Sequence, residues 1–293
     1  MKITEIYAKT ILRKCPSLGE SGYWYNLNIY RGCTHGCIYC DSRSPKYYVD
    51  NFDKEIVVKI NAPYLLRKEL SKDNISKINS GAMSDSYMYG LEDKYGLTRK
   101  CLKISYDFGV KISLITKSNL IERDLDLWEK HSELGSVCAF TITTCDESLA
   151  SMLEPNASSV SDRLKIMKKL SEKGICTGVS HMPLLPYVTD SREMIRELVS
   201  KAKENGATFI QPCFGLTLRK DMQRDFFMNK LRMIFPETAD KYERNFKNQI
   251  HCFSHNIKLL EEFFYDLCKE YDLIPHFPNI KGKRKQVEQL TFF

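Results

Sequence analysis

The chain has 293 residues, 43% of them apolar, and its 44 Lys and Arg outnumber 37 Asp and Glu to give a net charge of +7. This length can bury one large core, and the eleven scattered cysteines do not form the disulfide framework of a small secreted protein. Residues 1–30 contain no apolar signal core, and no run of about 18 apolar residues occurs. We therefore expect a soluble, cytoplasmic protein without a membrane span.

Apolar and β-branched runs alternate with segments of helical spacing along the first two-thirds of the chain. Six strands are predicted, at Glu55–Ile60, Lys77–Ala82, Lys111–Thr116, Val137–Thr143, Ile175–His181 and Ala207–Pro212. Five helices are predicted at Ala62–Ser71, Thr98–Phe108, Leu120–Glu133, Ser159–Lys173 and Arg192–Asn205, several of them followed by a capping glycine. This alternation is typical of parallel βαβ units.

Six such units are too few for a closed eight-stranded barrel. We predict an α/β fold, a partial (β/α)6 TIM-like barrel, with its active-site loops at the carboxyl ends of the strands. The expected organisation is an N-terminal extension (1–27), the barrel (28–215) with a cysteine loop ahead of its strands, a helical C-terminal region (216–275) and a basic, flexible tail (276–293). Helices are expected in the C-terminal region near Leu218–Ile234 and Ser254–Tyr271.

Cys33, Cys37 and Cys40 form a C-x3-C-x2-C loop. A 4Fe-4S cluster normally takes four thiolates, so three cysteines without a fourth nearby indicate one iron that is left to a non-protein ligand. In radical S-adenosylmethionine (SAM) chemistry the cofactor chelates this iron, and its one-electron cleavage yields a 5′-deoxyadenosyl radical that abstracts hydrogen. The alternative is a zinc site or redox loop, but tetrahedral zinc needs a fourth ligand, for which His35 is poorly placed.

Two residues outside the thiols have a chemical argument of their own. Tyr39 precedes the third cysteine, where its ring could lie against the adenine of the cofactor or could simply pack within the loop. Lys117 follows the apolar strand ISLIT, so it is either a solvated strand-end charge or a cation that faces an anionic ligand at the barrel mouth.

The segment from Asn28 to Arg43, NIYRGCTHGCIYCDSR, closely resembles the cluster signature of the spore photoproduct lyase-like (DNA repair photolyase-related) radical SAM proteins. The resemblance continues through GAMSDSY (81–87), TKSNLIERDLD (116–126) and MPLLP (182–186), and it covers the chain from about Tyr30 to Gly206. It implies a 4Fe-4S cluster, SAM, and a flavodoxin or ferredoxin as reductant.

The resemblance also assigns cofactor contacts to individual positions. It implies that Ser84 and Asp85 lie near the methionyl end of SAM, that Lys117 binds the carboxylate, and that Thr141 makes polar contacts further along. Asp85 is equally well explained as a turn or helix-cap residue. Glu154 and Arg163 also match family elements, although a structural ion pair explains them equally well.

One position departs from the family pattern. Where the spore photoproduct lyase itself carries its hydrogen-donating cysteine, this chain has Ala82. Cys138, Cys145, Cys176 or Cys213 could supply a thiol from other strand ends, but a single buried cysteine is more often a small core residue. The sequence therefore argues against a simple assignment as a thymine-dimer lyase.

The C-terminal peptide Gln289–Phe293 (QLTFF) resembles the short motif with which bacterial repair proteins bind the sliding clamp, and it follows a basic stretch. Its alternative is a tail that folds back onto the domain. The family resemblance, the net charge and this peptide together favour a radical SAM enzyme acting on a damaged or modified nucleic-acid base, with DNA as a partner. The alternatives are the same chemistry on a peptide, protein or small metabolite, and a non-enzymatic DNA- or clamp-binding module with a structural metal.

Overall fold

The structure is a computed structural model that describes residues 1–16, 23–48, 51–52 and 54–282. Its strands are β1 (Lys2–Ile6), β2 (Leu12–Pro16), β3 (Tyr23–Leu27), β4 (Tyr30–Arg31), β5 (Glu55–Lys59), β6 (Lys77–Ser80), β7 (Lys111–Thr116), β8 (Val137–Thr141), β9 (Cys176–His181), β10 (Phe209–Pro212), β11 (Gly215–Thr217) and β12 (His251–Phe253). Its α-helices are α1 (Ala62–Leu70), α2 (Glu92–Tyr95), α3 (Leu97–Asp107), α4 (Leu125–Glu133), α5 (Glu147–Leu153), α6 (Val160–Glu172), α7 (Arg192–Glu204), α8 (Met222–Ile234), α9 (Pro236–Phe246) and α10 (Ile257–Glu270).

The main sheet confirms the predicted partial barrel. Its strand order is β10-β9-β8-β7-β6-β3-β2, in which the six strands from β10 to β3 run parallel and β2 pairs antiparallel with β3 at one edge. The carboxyl ends of the six parallel strands therefore meet along one edge, as in other α/β sheets. The connections between β6 and β10 run through α3, α4, α6 and α7.

The first of the six parallel strands is not the predicted one. The run Glu55–Ile60 does form a strand, β5, but β5 lies between β1 and β4 in a separate three-stranded sheet. The sixth parallel strand is β3, so the cysteine loop follows the first barrel strand instead of preceding the array. An apolar run predicts that a strand is buried, and Ile56 and Val58 are indeed buried. It does not predict which sheet the strand joins, and for this reason the prediction was wrong here.

Residues 1–27, which we expected as an extension, contribute β1 to the small sheet and β2 and β3 to the main sheet. The C-terminal region holds the two expected helices as α8 and α10. It also holds α9 and the antiparallel pair β11–β12, which the sequence analysis did not predict.

Local sequence explains the barrel helices. Ser159 and Ser191 cap α6 and α7, because their side chains accept the amides of Asp162 and Met194. The apolar faces of α3, α4, α6, α7 and α10 share one core with the sheet. Within the described part of the chain, no helix is both long and apolar enough to cross a membrane.

The first residues of the expected tail pack against the barrel. The ring of Phe277 lies 5.0 Å from that of Phe209, and the Lys111 ammonium donates to the Ile280 carbonyl at 3.1 Å. Residues 283–293, which include the clamp-like peptide Gln289–Phe293, lie outside the described residues, so its proposed partner stays a prediction.

Candidate active site at the carboxyl edge of the sheet

The cysteine loop, Cys33–Cys40, lies at the carboxyl edge of the main sheet. Cys33 and Cys37 are buried, Cys40 is half-buried, and all three thiols are free. The loop is held from two sides, because the Cys33 amide donates to the Phe52 carbonyl at 3.2 Å and the Ile38 amide donates to the Leu153 carbonyl at 2.9 Å. The three sulfurs are therefore presented by a backbone whose path is fixed.

Two glycines let the loop take this path. Gly32 has φ +80°, and a Cβ there would lie 2.5 Å from the Glu55 carbonyl oxygen. Gly36 has φ +70° and approaches the Pro155 ring, where a Cβ would meet a ring carbon at 3.3 Å. Left-handed backbone and close approach both favour glycine, so each position needs a residue without a side chain.

The thiols suit a cluster. Burial raises the pKa of the Cys33 thiol to about 12 and also raises the pKa values of Cys37 and Cys40. Their thiolates therefore need a positive partner, which a coordinated iron supplies. Across the described residues, no group of three or more His, Cys, Asp or Glu side chains is arranged to hold a metal ion. Three thiols on one loop can each bond a different iron of a cubane cluster and leave the fourth iron to a non-protein ligand.

Tyr39 is tied to a buried ion pair. Its hydroxyl donates to Glu154 Oε1, and Glu154 Oε2 lies 2.6 Å from the Arg163 guanidinium. Arg163 also donates to the Thr141 carbonyl at 2.6 Å. Burial acts to raise the pKa of the Glu154 carboxyl, but Arg163 and Lys117 hold it below its ordinary value. The carboxylate thus stays charged and joins the cysteine loop to the ends of α5 and β8.

Asp85 connects the end of β6 to the end of β7. Its Oδ1 accepts from Thr116 Oγ1 and from the Tyr87 amide, both at 2.8 Å. Its Oδ2 accepts from the Lys117 amide at 2.8 Å and faces the buried His35 Nδ1 at 3.5 Å. Both carboxylate oxygens are therefore used within the protein, and they set the position of the backbone from which the Lys117 side chain extends.

A cavity of about 350 Å³ opens beside Cys40, at the ends of β6 to β10. Predicted site residues on its wall are Tyr39, Lys117 and Thr141. The Lys117 ammonium lies 5.7 Å from the centre of the Tyr39 ring. Burial acts to lower the pKa of Lys117, but Cys37, Glu154, Cys40 and Asp85 raise it above the ordinary value. The cavity therefore presents a charged ammonium next to an aromatic ring.

The other predicted residues lie away from this wall. Glu154 and Arg163 pair with each other behind Tyr39, and Asp85 lies behind Lys117. Ser84 donates to the Tyr30 carbonyl at 2.9 Å and lines a neighbouring groove.

Ala82, which stands where the lyase has its hydrogen-donating cysteine, lines the cavity. Among the four other cysteines considered, Cys213 lines it too, whereas Cys138 and Cys145 belong to the core and Cys176 contacts Thr208 at 3.2 Å.

Several wall residues were missed from the sequence. Ser180 faces the cavity from β9, and His251 and Phe253 close it from β12. The alternation in ICTGVSH could have identified Ser180, since one face of a barrel strand points inward. No local signal could have identified the β11–β12 pair, because its two strands are distant in sequence.

The C-terminal region also forms an ion pair and hydrogen bonds with the segment that follows the cysteine loop. Arg219 Nε lies 2.7 Å from Asp41 Oδ1, and its NH2 group donates to Asp41 Oδ2 at 2.8 Å and to the Tyr47 hydroxyl at 3.1 Å. Ser44 donates to Asp221 at 2.6 Å. The C-terminal region is therefore part of the site's support.

The sequence model of the Radical SAM superfamily matches residues 27–199 of this chain. The matched span runs from the end of β3 through the cysteine loop into α7. This chain belongs to the radical SAM superfamily. Membership indicates a radical SAM enzyme, a class whose members use SAM with a 4Fe-4S cluster and need an external reductant.

Curated relatives extend the similarity beyond the superfamily domain. An uncharacterized protein of Mycobacterium tuberculosis is 29% identical over 277 residues, which cover 92% of this radical SAM chain and 81% of that protein. An uncharacterized protein of Methanocaldococcus jannaschii is 33% identical over 178 residues, which cover 60% of this chain and 66% of that protein.

Solved structures share the radical SAM fold. Spore photoproduct lyase in complex with dinucleoside spore photoproduct has a TM-score of 0.67 at 16% identity, and the match covers 94% of this chain and 82% of the lyase. A radical SAM methyltransferase of Kitasatospora setae, with cobalamin and a [4Fe-4S] cluster bound, has a TM-score of 0.57 at 12% identity, covering 87% of this chain and 55% of that one. At these identities the likeness shows the fold.

Proposed function

We propose that this protein is a radical SAM enzyme of the spore photoproduct lyase-like family, in which Cys33, Cys37 and Cys40 hold a 4Fe-4S cluster and the adjoining cavity binds SAM. The observation that carries the proposal is the set of three free thiols, two buried and one half-buried, beside a cavity walled by Lys117, Tyr39 and polar strand ends. When bound, the cluster supplies the electron that cleaves SAM to a 5′-deoxyadenosyl radical.

Lys117 is the proposed partner of the SAM carboxylate. Its ammonium is charged, lies on the cavity wall, and makes no hydrogen bond with the described residues. A carboxylate placed there would gain a charge-assisted hydrogen bond. Asp85 and Ser84 act behind it, because Asp85 binds the Lys117 amide and Ser84 holds the Tyr30 carbonyl.

Tyr39 is the proposed aromatic neighbour of the adenine. Its hydroxyl is committed to Glu154, so the ring keeps one orientation on the wall. Thr141 lines the same wall and offers a hydroxyl for polar contacts. Glu154 and Arg163 hold Tyr39 and the Thr141 carbonyl in place, so we propose that they position the site without touching the cofactor.

The proposed substrate is a damaged or modified nucleic-acid base, and the proposed reductant is a flavodoxin or ferredoxin. Support for the base comes from the net charge of +7 and from the sequence resemblance to the lyase-like family. A base would have to leave its stack to reach a cavity at the strand ends. Because Ala82 stands on the cavity wall, any hydrogen-donating thiol would have to come from elsewhere.

The cluster is tested by anaerobic reconstitution. The wild type should bind about four irons and four sulfides and produce 5′-deoxyadenosine from SAM when reduced. Cys37→Ala should lose both properties, whereas Cys15→Ala, which removes a half-buried thiol from β2, should keep them. Zinc in place of iron, or equal iron content in the two variants, would refute the cluster assignment.

The substrate is tested by the rate of 5′-deoxyadenosine formation. Oligonucleotides that carry a damaged or modified base should accelerate SAM cleavage over unmodified oligonucleotides of the same sequence. If a peptide or metabolite extract accelerates cleavage and no oligonucleotide does, the radical chemistry stands and the nucleic-acid substrate is wrong.

A further inference from the structure

A second concave surface adjoins the cavity and is strongly basic. It is a groove of about 700 Å³ between β1, β2, β4 and the segment after the cysteine loop. Its cationic residues are Lys9, Arg13, Lys14, Arg31, Lys46 and Lys59. Among its described lining residues there is no Asp or Glu, although the whole chain carries 37 acidic residues against 44 basic ones. We call this surface the basic groove.

Two of these cations are close to each other on the groove wall. Lys59 lies on β5 and is only 8% exposed, and its ammonium donates to the Asn28 carbonyl at 2.6 Å. Arg31 lies on the neighbouring strand β4, and its guanidinium forms no hydrogen bond or ion pair with the described residues. Burial and the charge of Arg31 lower the pKa of Lys59 to about 8. The two charges therefore oppose each other in the absence of an anion.

No carboxylate of the described residues forms an ion pair with either cation. The nearby Glu69 acts on Lys59 through space, but its two oxygens accept the amides of Ile11 and Leu12, each at 2.9 Å. An ammonium has three donors, and the Asn28 carbonyl uses one. A buried cation without a direct ion-pair partner is costly, so an anion that binds both Lys59 and Arg31 would be stabilised.

The groove also presents aromatic rings. Tyr48 is 81% exposed at its rim, and Tyr47 and Phe52 line it further in. A basic groove interleaved with aromatic rings is the arrangement that binds single-stranded nucleic acid, because cations contact phosphates and rings stack on bases. A small inorganic anion has no base that could stack on the exposed ring of Tyr48.

The basic groove is continuous with the cavity. Ser42, Tyr47 and Met83 line both. A strand whose backbone follows the groove would thus bring a nucleotide to the cavity mouth. A duplex would have to release the base first, so an unpaired strand fits the geometry better.

We propose that the basic groove binds the phosphodiester backbone of a single-stranded nucleic acid, with Arg31 and Lys59 on one phosphate and Tyr48 stacked on a base. The proposal deepens the proposed function, on which it rests for the entry of a base into the cavity. It assigns the nucleic-acid contact to the N-terminal strands and not to the tail.

The test is the anisotropy of a labelled twelve-nucleotide single strand titrated with reconstituted protein at several salt concentrations. The Arg31→Gln/Lys59→Met variant should bind about tenfold more weakly, and its log-log salt slope should be shallower by about 0.7 for each phosphate that the variant no longer binds. Lys165→Gln/Lys168→Gln, which removes two exposed charges from α6, should stay within about twofold of wild type.

Two further measurements test whether the loss of binding is due to misfolding and whether binding depends on the phosphate charge. Because Lys59 is buried, Arg31→Gln alone is measured too and should bind about threefold more weakly with iron content and melting temperature unchanged. An oligonucleotide with uncharged methylphosphonate linkages should bind at least about tenfold more weakly than the phosphodiester. Equal weakening by the groove and α6 variants, equal binding of the uncharged strand, or displacement by inorganic phosphate at matched phosphate concentration would each overturn the proposal.

The assay contains neither SAM nor a reductant, so its failure is distinct from failure of the proposed function. If the protein cleaves SAM but the groove variant binds the strand as well as wild type, the proposed radical chemistry stands and the proposed groove binding is wrong. If the protein binds the strand through Arg31 and Lys59 but never forms 5′-deoxyadenosine, the proposed groove binding stands and the proposed radical chemistry is wrong.

Discussion

Glu154 and Arg163 form a salt bridge of 2.6 Å beneath the cysteine loop, with side chains that are 0% and 2% exposed. The pair also receives the Tyr39 hydroxyl and binds the Thr141 carbonyl. One ion pair therefore links two wall residues of the cavity. We propose that this pair positions the two wall residues.

Breaking this pair should destabilise the protein strongly. Arg163→Met leaves the Glu154 carboxylate buried without its ion-pair partner, which costs about 3–5 kcal/mol in the free energy of unfolding. Lys173→Met, which breaks an exposed pair with Glu129 at 3.0 Å, should cost less than about 1 kcal/mol. Urea unfolding measures both. Restoration of part of the loss by the Glu154→Gln/Arg163→Met double variant would support the charge argument, and equal costs for the two single variants would contradict it.

Gly32→Ala should damage the cysteine loop more than a matched glycine substitution elsewhere. Gly32 and Gly90 have similar φ values of +80° and +75°, but only at Gly32 would a Cβ meet a backbone oxygen, at 2.5 Å. Gly90→Ala should therefore cost about 1 kcal/mol for the left-handed backbone alone, and Gly32→Ala at least about 2 kcal/mol. Thermal unfolding and iron content report the difference. Similar losses in both variants would show that the contact with Glu55 does not matter.

Lys117→Met should weaken SAM binding without removing the cluster. Loss of the ammonium from the cavity wall should raise the KM for SAM about tenfold, whereas Lys117→Arg, which keeps the charge, should raise it less. Lys130→Met on the exposed face of α4 is the charge-matched control and should leave the KM unchanged. Steady-state formation of 5′-deoxyadenosine measures the KM, and iron analysis confirms the cluster. An unchanged KM in Lys117→Met would remove this residue from the cofactor site.

Lys59 should make stability depend on alkaline pH. Its pKa falls from the ordinary 10.5 to about 8 in the folded protein, so between these values the unfolded chain binds more protons than the folded one. Stability contributed by this group is complete above pH 10.5 and is lost as the pH falls through 8. Arg31 and Glu69 are the charges that act on it. The stability of wild type relative to Lys59→Met should therefore rise between pH 8 and 10.5, as followed by urea unfolding. A constant difference would show that Lys59 titrates normally.

The sequence predicted most of the barrel because the relevant signals are local. Five helical segments and five of the six parallel strands were located by hydrophobic periodicity, which depends only on residues a few positions apart. The exchange of β3 for β5 was not foreseen, because β3 is only partly buried and was not predicted as a strand. Nothing local to β5 indicates that it pairs with β1 instead of joining the main sheet. The same reason hid the β11–β12 pair and the contact between Arg219 and Asp41.

The sequence alone supplied the proposed donor set. The spacing of Cys33, Cys37 and Cys40, with Lys117 after a strand, is a property of neighbouring residues, and it predicted the chemistry of the site before any fold was known. Only the tertiary structure decided which side chains face the cavity and which lie behind it, as Asp85 and Glu154 do. It also gathered six cations from separate strands and loops into one groove. The physical reason is that burial and hydrogen-bond partners are set by segments that are remote in the chain, so residue identity and spacing do not contain them.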